Sequence, residues 1–358
     1  MGNFLASRKG IILVGLVIGV IAVTLQKLGN PANMGICVAC FERDIAGSLG
    51  FHRAAVVQYM RPEIIGLVLG AFFVSIFTKE YQPRAGSSTI IRFFLGVFAM
   101  IGALVFLGCP WRALLRLAGG DWNAIVGIAG LAVGIGFGVL FLKNGYNLGR
   151  TYKVNKAAGW VFPAIMLGLF AMLIFQFKVS DAGPLFFSEK GPGSQFAPVA
   201  VSIAAGIFIG GIVQRSRFCT MGAIRDIIMA RDFHLMTGVI ALLVSATLLN
   251  LVYGQFKPGF ESQPIAHTVH LWNFLGMVLA GLAFALAGGC PGRQLILSGE
   301  GDSDAAVFVV GMIVGAGISH NFLLASSPAG TGAYGPAAVV IGLLFCAVIG
   351  FTMKEKMS

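Results

Sequence analysis

Ten apolar runs, most of them about as long as a bilayer is thick, constrain this chain more than any other feature. They cover 10–28, 63–78, 90–108, 122–143, 159–178, 196–214, 234–254, 271–289, 304–322 and 337–353. A helix needs about 20 mostly apolar residues to cross the hydrocarbon core. Only helices and closed barrels can satisfy their own backbone there. Composition points the same way. The chain is 57% hydrophobic and 11% charged, whereas soluble domains carry roughly 25% charged residues. Its 50 glycines suit helices that pack closely in lipid. The sequence therefore predicts an all-α polytopic membrane protein with about ten transmembrane helices. The second run is short, and its helix is expected to begin near Pro62. The first run follows Arg8 and Lys9 but is long for a signal peptide, and no small-residue cleavage site follows it. It reads as the first span. Ala6 breaks the myristoylation pattern.

Four shorter segments lie between the spans: 36–47, 110–119, 219–230 and 291–299. Each begins at or beside a cysteine, carries an arginine and is too short to cross. Irregular backbone at membrane depth persists only where protein or a watery cavity surrounds it. These segments read as four short re-entrant helices.

The net charge of +11 fits positive-inside loops better than nucleic-acid binding. With the N-terminus inside, the inner loops hold Lys79, Arg84, Lys143, Arg150, Lys153, Lys156, Arg215, Arg217, Arg225, Arg231 and Arg293, and the tail holds Lys354 and Lys356. The loops at 179–195, 255–270 and 323–336 are poor in Lys and Arg. Both termini are expected in the cytoplasm, in a prokaryotic cytoplasmic membrane. Arg43, Arg53, Arg61, Arg112 and Arg116 break the rule and require another explanation.

The two halves repeat. "ICVACFERDI" (36–45) aligns with "FCTMGAIRDI" (218–227), matching Cys37 to Cys219, Arg43 to Arg225 and Asp44 to Asp226. "GCPWR" (108–112) aligns with "GCPGR" (289–293) at nearly the same separation, and Asp121 then matches Asp302. Residues 1–190 and 191–358 read as two membrane repeats. Five spans each, an odd number, make the second inverted. Inverted repeats place transporter sites at their interface near the midplane, so the cysteine ends are expected to meet across a pseudo-two-fold axis.

Cys-Pro-x-Arg has the makings of a helix start. Proline suits the first helical position, so Pro110 and Pro291 begin helices capped by Cys109 and Cys290. Gly108 and Gly289 are expected to permit the sharp turn before them. Free N–H groups and the dipole make such ends anion sites, and Arg112 and Arg293 would add charge. The same setting favours thiolate, which would repel an anion. The thiols therefore either stay neutral and donate weak hydrogen bonds or act as nucleophiles on a sulfur compound. Cys346, alone in the last span, reads as a small core residue.

Cys37 and Cys40 form a C-x-x-C without the two further ligands that zinc needs. Cys40 is a candidate redox or pathway partner, and Gly222 stands at its place in the second half. Buried charges need partners, so Arg43–Asp44 and Arg225–Asp226 are expected to form structural or gating ion pairs with the facing repeat or with the Cys-Pro-x-Arg helices. The histidines make no metal constellation, and His267 and His270 are expected at the surface. No metal, cofactor or catalytic triad is expected, and an enzyme is not.

"GICVACFERDIAG", "GCPWR", "RSRFCTMGAIRD" and "GGCPGR" together resemble the YeeE/YedE family of sulfur-transport membrane proteins, along nearly the whole chain and closest to the YedE-like branch associated with selenium metabolism. The resemblance implies uptake of thiosulfate or a related compound through an hourglass-shaped protein. Its constriction cysteines would be Cys37, Cys109 and Cys290, with Cys219 as the repeat equivalent. It also implies a cytoplasmic sulfur-carrier protein as a partner, beside the lipid bilayer and a small sulfur or selenium anion. A permease is therefore expected. The alternative is a transmembrane thiol–disulfide electron relay.

Overall fold

The computed structural model describes residues 4–175 and 185–354. The expected end of the fifth span (176–178), residues 179–184 of the loop that follows, and Lys356 of the tail lie outside the described residues.

The described residues form fourteen α-helices: α1 (Arg8–Lys27), α2 (Val38–Ser48), α3 (Pro62–Phe77), α4 (Thr89–Phe106), α5 (Pro110–Ala118), α6 (Asn123–Lys143), α7 (Lys156–Phe175), α8 (Val199–Ser216), α9 (Thr220–Ala230), α10 (His234–Val252), α11 (His270–Ala287), α12 (Pro291–Gly299), α13 (Ser303–Asn321) and α14 (Gly335–Thr352). A two-residue antiparallel pair, β1 (Arg84–Ala85) with β2 (Tyr152–Lys153), is the one sheet among them. Each apolar run carries a helix along most of its described residues. Among the described residues nine helical segments are long and apolar enough to cross a membrane, and Pro62–Phe77 is a shorter apolar helix. The chain is a multi-pass, all-α membrane protein. The four cysteine-led segments are α2, α5, α9 and α12.

The long helices pack in matched sets. α1 lies along α10 and α3 along α8; α4 lies along α13 and α6 along α11. Each pairing recurs when one half's helices are exchanged for their equivalents in the other. α7 and α14 depart from the pattern: α7 covers α3, α12 and α13, whereas α14 lies on α4, α11 and α6. Glycine sets the close approach. Gly130 and Gly134 of α6 sit on the carbonyls of Phe274 and Val278 of α11, so the two helices run parallel. A Cβ at Gly134 strikes the Val278 carbonyl, while one at Gly168 on α7 meets nothing within 4 Å. Overpacking costs about 1–3 kcal/mol. Gly134→Val is therefore expected to lower the midpoint of thermal unfolding in detergent, and Gly168→Val to leave it in place.

Ion pairs gather at one end of the bundle. Glu80, after α3, pairs with Arg215 and with Arg217, and Arg217 reaches Glu300 at 2.6 Å. Arg84 holds Asp302 at 2.6 Å. Partial burial works against ionisation of Glu80, but the Gln214 amide with Arg215 and Arg217 outweighs it and holds the carboxyl below its ordinary range. At the opposite end, the Phe186 amide donates to the Ser48 carbonyl, and that of Lys257 to Gly119. His267 is 2% exposed, contrary to its expected surface position, because its ring lies 2.8 Å from the Val105 carbonyl. His270 is exposed.

The short helices differ in depth. All eleven residues of α2 are buried, whereas only the first turn of α9, Thr220 to Ala223, is buried.

Candidate functional site: four cysteines at four helix starts

Each short helix begins at a cysteine in the N-cap position: Cys37, Cys109, Cys219 and Cys290. An N-cap side chain accepts from the N–H groups that the first turn leaves unpaired. Cys37 Sγ takes this role from the Cys40 amide at 3.3 Å, and Cys219 Sγ from the Gly222 amide at 3.3 Å. Cys109 and Cys290 precede Pro110 and Pro291 at the first helical position and make no such bond. Their sulfurs turn instead to the other cysteine of the same half. Cys37 Sγ lies 3.8 Å from Cys109 Sγ, and Cys219 Sγ lies 3.6 Å from Cys290 Sγ.

The cysteine ends of the two halves are expected to approach one another, and within that arrangement each half also pairs its own two thiols. Each thiol's nearest sulfur partner is in its own half, because the two short helices of a half start side by side. The halves do meet at the neighbouring residue. A Cβ on Gly292 would lie 3.0 Å from the Trp111 ring, so the glycine in "GCPGR" makes room for the tryptophan in "GCPWR". Trp111 is buried, its indole N–H has no hydrogen-bond partner, and its ring lies 6.3 Å from that of Phe218. All six cysteines are free thiols.

The sharp turn before α5 and α12 falls one residue earlier than expected. Leu107 (φ 64) and Gly288 (φ 86) take the left-handed conformation, not Gly108 and Gly289. The smallness of Gly108 and Gly289 has another use. A Cβ at either site would lie 3.1–3.3 Å from the folded side chain of Arg112 or Arg293.

Those two arginines, equivalent in sequence, have different partners. Arg293 pairs with Glu300 at 3.3 Å. Arg112 is fully buried. Its guanidinium donates to the carbonyls of Leu107, of Asn33 at 3.4 Å and of Ile265 at 3.0 Å, and approaches Cys40 Sγ at 3.7 Å. Among the described residues no carboxylate pairs with it. A buried cation held only by dipoles and a thiol keeps a field that draws an anion. Arg112 therefore suits the anion-stabilising role far better than Arg293.

The remaining arginines that break the charge rule are accounted for by contacts. Arg43 and Arg61 both hold Asp44, each at 2.7 Å. Arg61 also donates to the carbonyls of Gln195 and Pro192 at 2.9 and 2.8 Å. Arg116 holds Asp121 at 2.5 Å, and Arg53 stacks 3.8 Å over the Phe186 ring. Arg225 pairs with Asp226 at 2.8 Å. Arg43–Asp44 and Arg225–Asp226 are thus pairs of adjacent residues, not the expected bridges to the facing repeat or to the Cys-Pro-x-Arg helices. Arg61, the N-cap of α3, is close enough to complete the first. Cys346 is buried in α14.

Glu42 on α2 escaped the sequence reading. It is fully buried and, among the described residues, neither carboxylate oxygen has a hydrogen-bond partner. The signal was an acid in the middle of an apolar intramembrane segment, a functional position by default. No group of three His, Cys, Asp or Glu that could hold a metal occurs among the described residues.

Residues 215–354, which contain Cys219, Arg225, Asp226, Cys290 and Arg293, match the Sulphur transport family. The chain is also 26% identical over 107 residues to the Thiosulfate transporter TsuA of Escherichia coli (strain K12), a match spanning 30% of this chain and 30% of that protein. The fold of apolar helices, the cysteine-capped short helices and these two partial matches make the chain similar to sulfur-transport membrane proteins.

Proposed function

We propose that this protein is a permease, not an enzyme, that takes up a small sulfur-containing anion of the thiosulfate kind, or its selenium counterpart. The observation that carries this reading is the site around α2 and α5. Two thiols 3.8 Å apart stand at helix starts, beside a buried arginine with no carboxylate partner among the described residues. Helix N-termini and a cation offset negative charge, and polarizable thiols suit a soft anion as weak donors. The second thiol pair, Cys219 and Cys290, continues the path.

The two halves are inverted in this reading. The matched parallel pairings support it, as does the contact between Asn30, just past the end of α1, and Ala197, just before the start of its equivalent α8. The short helices then re-enter from opposite faces. The protein sits in a prokaryotic cytoplasmic membrane with both termini inside, where the basic loops and residue 354 gather. A sulfur-carrier protein would collect the product there.

The test is uptake by proteoliposomes of thiosulfate labelled separately on each sulfur, with no thioredoxin present. Entry of both labels together is expected. Absence of uptake overturns the reading. The thiol spacings also favour a second reading, a transmembrane electron relay, since each pair needs to close only to the disulfide length of about 2.05 Å. Its signature is thiol oxidation that passes from one half to the other and depends on thioredoxin, with no label entering.

A further inference from the structure

We propose that Glu42 carries a proton that crosses with each anion, so that uptake through this site is proton-coupled. The inference rests on the permease reading. Other buried acids of the protein are held in place: Asp44 by Arg43 and Arg61, Asp121 by Arg116, and Glu63 by Asn30 and Ser202 through one oxygen. Glu42 is as deeply buried as these and has neither oxygen engaged. A carboxylate in such surroundings without a partner is costly, so the neutral acid is its resident form. A structural ion pair would supply a partner, whereas an unpaired carboxyl is free to take up and release a proton.

Its position ties it to the thiols. Glu42 follows Ala39 by three residues on α2, so the two lie on one helix face. Ala39 lies in the first turn of α2, after its cap Cys37, and Cys37 Sγ lies 3.8 Å from Cys109 Sγ. Other charged or titratable groups on the elements around α2 are engaged elsewhere. On α2 itself, Arg43 and Asp44 hold each other, and Cys40 faces Arg112. On α3, Glu63 faces Asn30; on α4, Arg92 faces Ser87 and the Ala287 carbonyl. On α12, Arg293 faces Glu300, and Cys290 before it faces Cys219. On α13, Asp304 takes Ser87; His320 is the exception, its ring tilted 4.4 Å from that of His52 and its Nε2 without a hydrogen-bond partner among the described residues. The equivalent of Glu42 in the second half is Ile224, so the acid is not part of a scaffold used twice.

No bond is made or broken in the substrate. A proton binds Glu42 from the side where the anion arrives. The anion passes Cys37 and Cys109, and both leave to the other side. One proton thereby offsets one negative charge moving against an inside-negative potential.

The experiment uses the full chain in proteoliposomes with a trapped pH dye, measuring labelled thiosulfate and lumenal pH together. Wild-type uptake is expected to acidify the lumen. One proton per anion raises accumulation about tenfold for each unit of imposed pH gradient, acid outside. Glu42→Gln is expected to abolish both the acidification and the response to the gradient, while Glu42→Asp, which keeps the acid, retains them. Wild-type uptake with no acidification and no gradient response overturns the proposal whatever the variants do. So does Glu42→Gln behaving like wild type. No labelled uptake by the wild type under any gradient overturns the permease reading instead.

Discussion

Alanine in place of Cys109 or Cys290 is expected to abolish substrate-dependent growth and to slow vesicle uptake sharply without lowering the amount of protein in the membrane. Each of these sulfurs stands free of the capping bond that occupies Cys37 and Cys219, and each faces the other thiol of its half. A hydrogen bond to a charged group is worth about 1.5–3 kcal/mol. Losing one where the anion must pass slows transport roughly ten- to a hundredfold. Serine separates two chemistries. If the thiol only donates a hydrogen bond, Cys290→Ser retains much of the uptake, since the hydroxyl donates in the same place. If sulfur bonds to sulfur, serine is as inactive as alanine. Cys346→Ala is the matched control, buried in α14 at 0% exposure, and it is expected to leave uptake intact. Unchanged uptake in Cys109→Ala and Cys290→Ala would remove the thiols from the path.

The short helices were legible because their starts carry local signals. Proline after cysteine fixes the first turn of α5 and α12, and the cysteine-led segments of α2 and α9 stop within a few residues of where the sequence reading placed them. Burial and pairing were less legible, because they depend on residues far apart in sequence. Arg112 and Arg293 occupy equivalent motif positions, yet one meets carbonyls of Asn33 and Ile265 and the other meets Glu300. Nothing in "GCPWR" or "GCPGR" encodes that difference. The contact of Trp111 with Gly292 is similar in kind: the motif shows a large and a small residue at matched places, and only the fold brings them together. The pairing of Cys37 with Cys109 was not legible, because symmetry relates the halves and is silent on which thiols within one half touch. A two-fold axis relates the thiols of the two halves without requiring that they touch.

The same Arg-Asp dipeptide, used once in each half, should respond very differently to loss of its acid. Asp44 is fully buried between Arg43 and Arg61, at 2% and 0% side-chain exposure. Arg61 in turn stacks 4.4 Å over Phe41 and reaches carbonyls of the loop before α8. Removing Asp44 leaves two guanidiniums buried without a carboxylate, and breaking a buried pair in this way costs about 3–5 kcal/mol. Asp44→Ala is therefore expected to lower the thermal midpoint in detergent steeply and to reduce the yield of folded protein. Asp44→Asn keeps the shape without the charge and should recover little. Asp226 and Arg225 are 26% and 34% exposed. Water screens them, and exposed pairs contribute about 0–1 kcal/mol. Asp226→Ala is expected to unfold close to the wild-type midpoint. Equal losses at both positions would mean that the dipeptide stabilises α2 and α9 by a local effect common to both. A large loss at Asp44 alone would show that the stabilisation comes from burial of the three-charge cluster, which Arg61 completes in the first half and no residue completes among the described residues of the second.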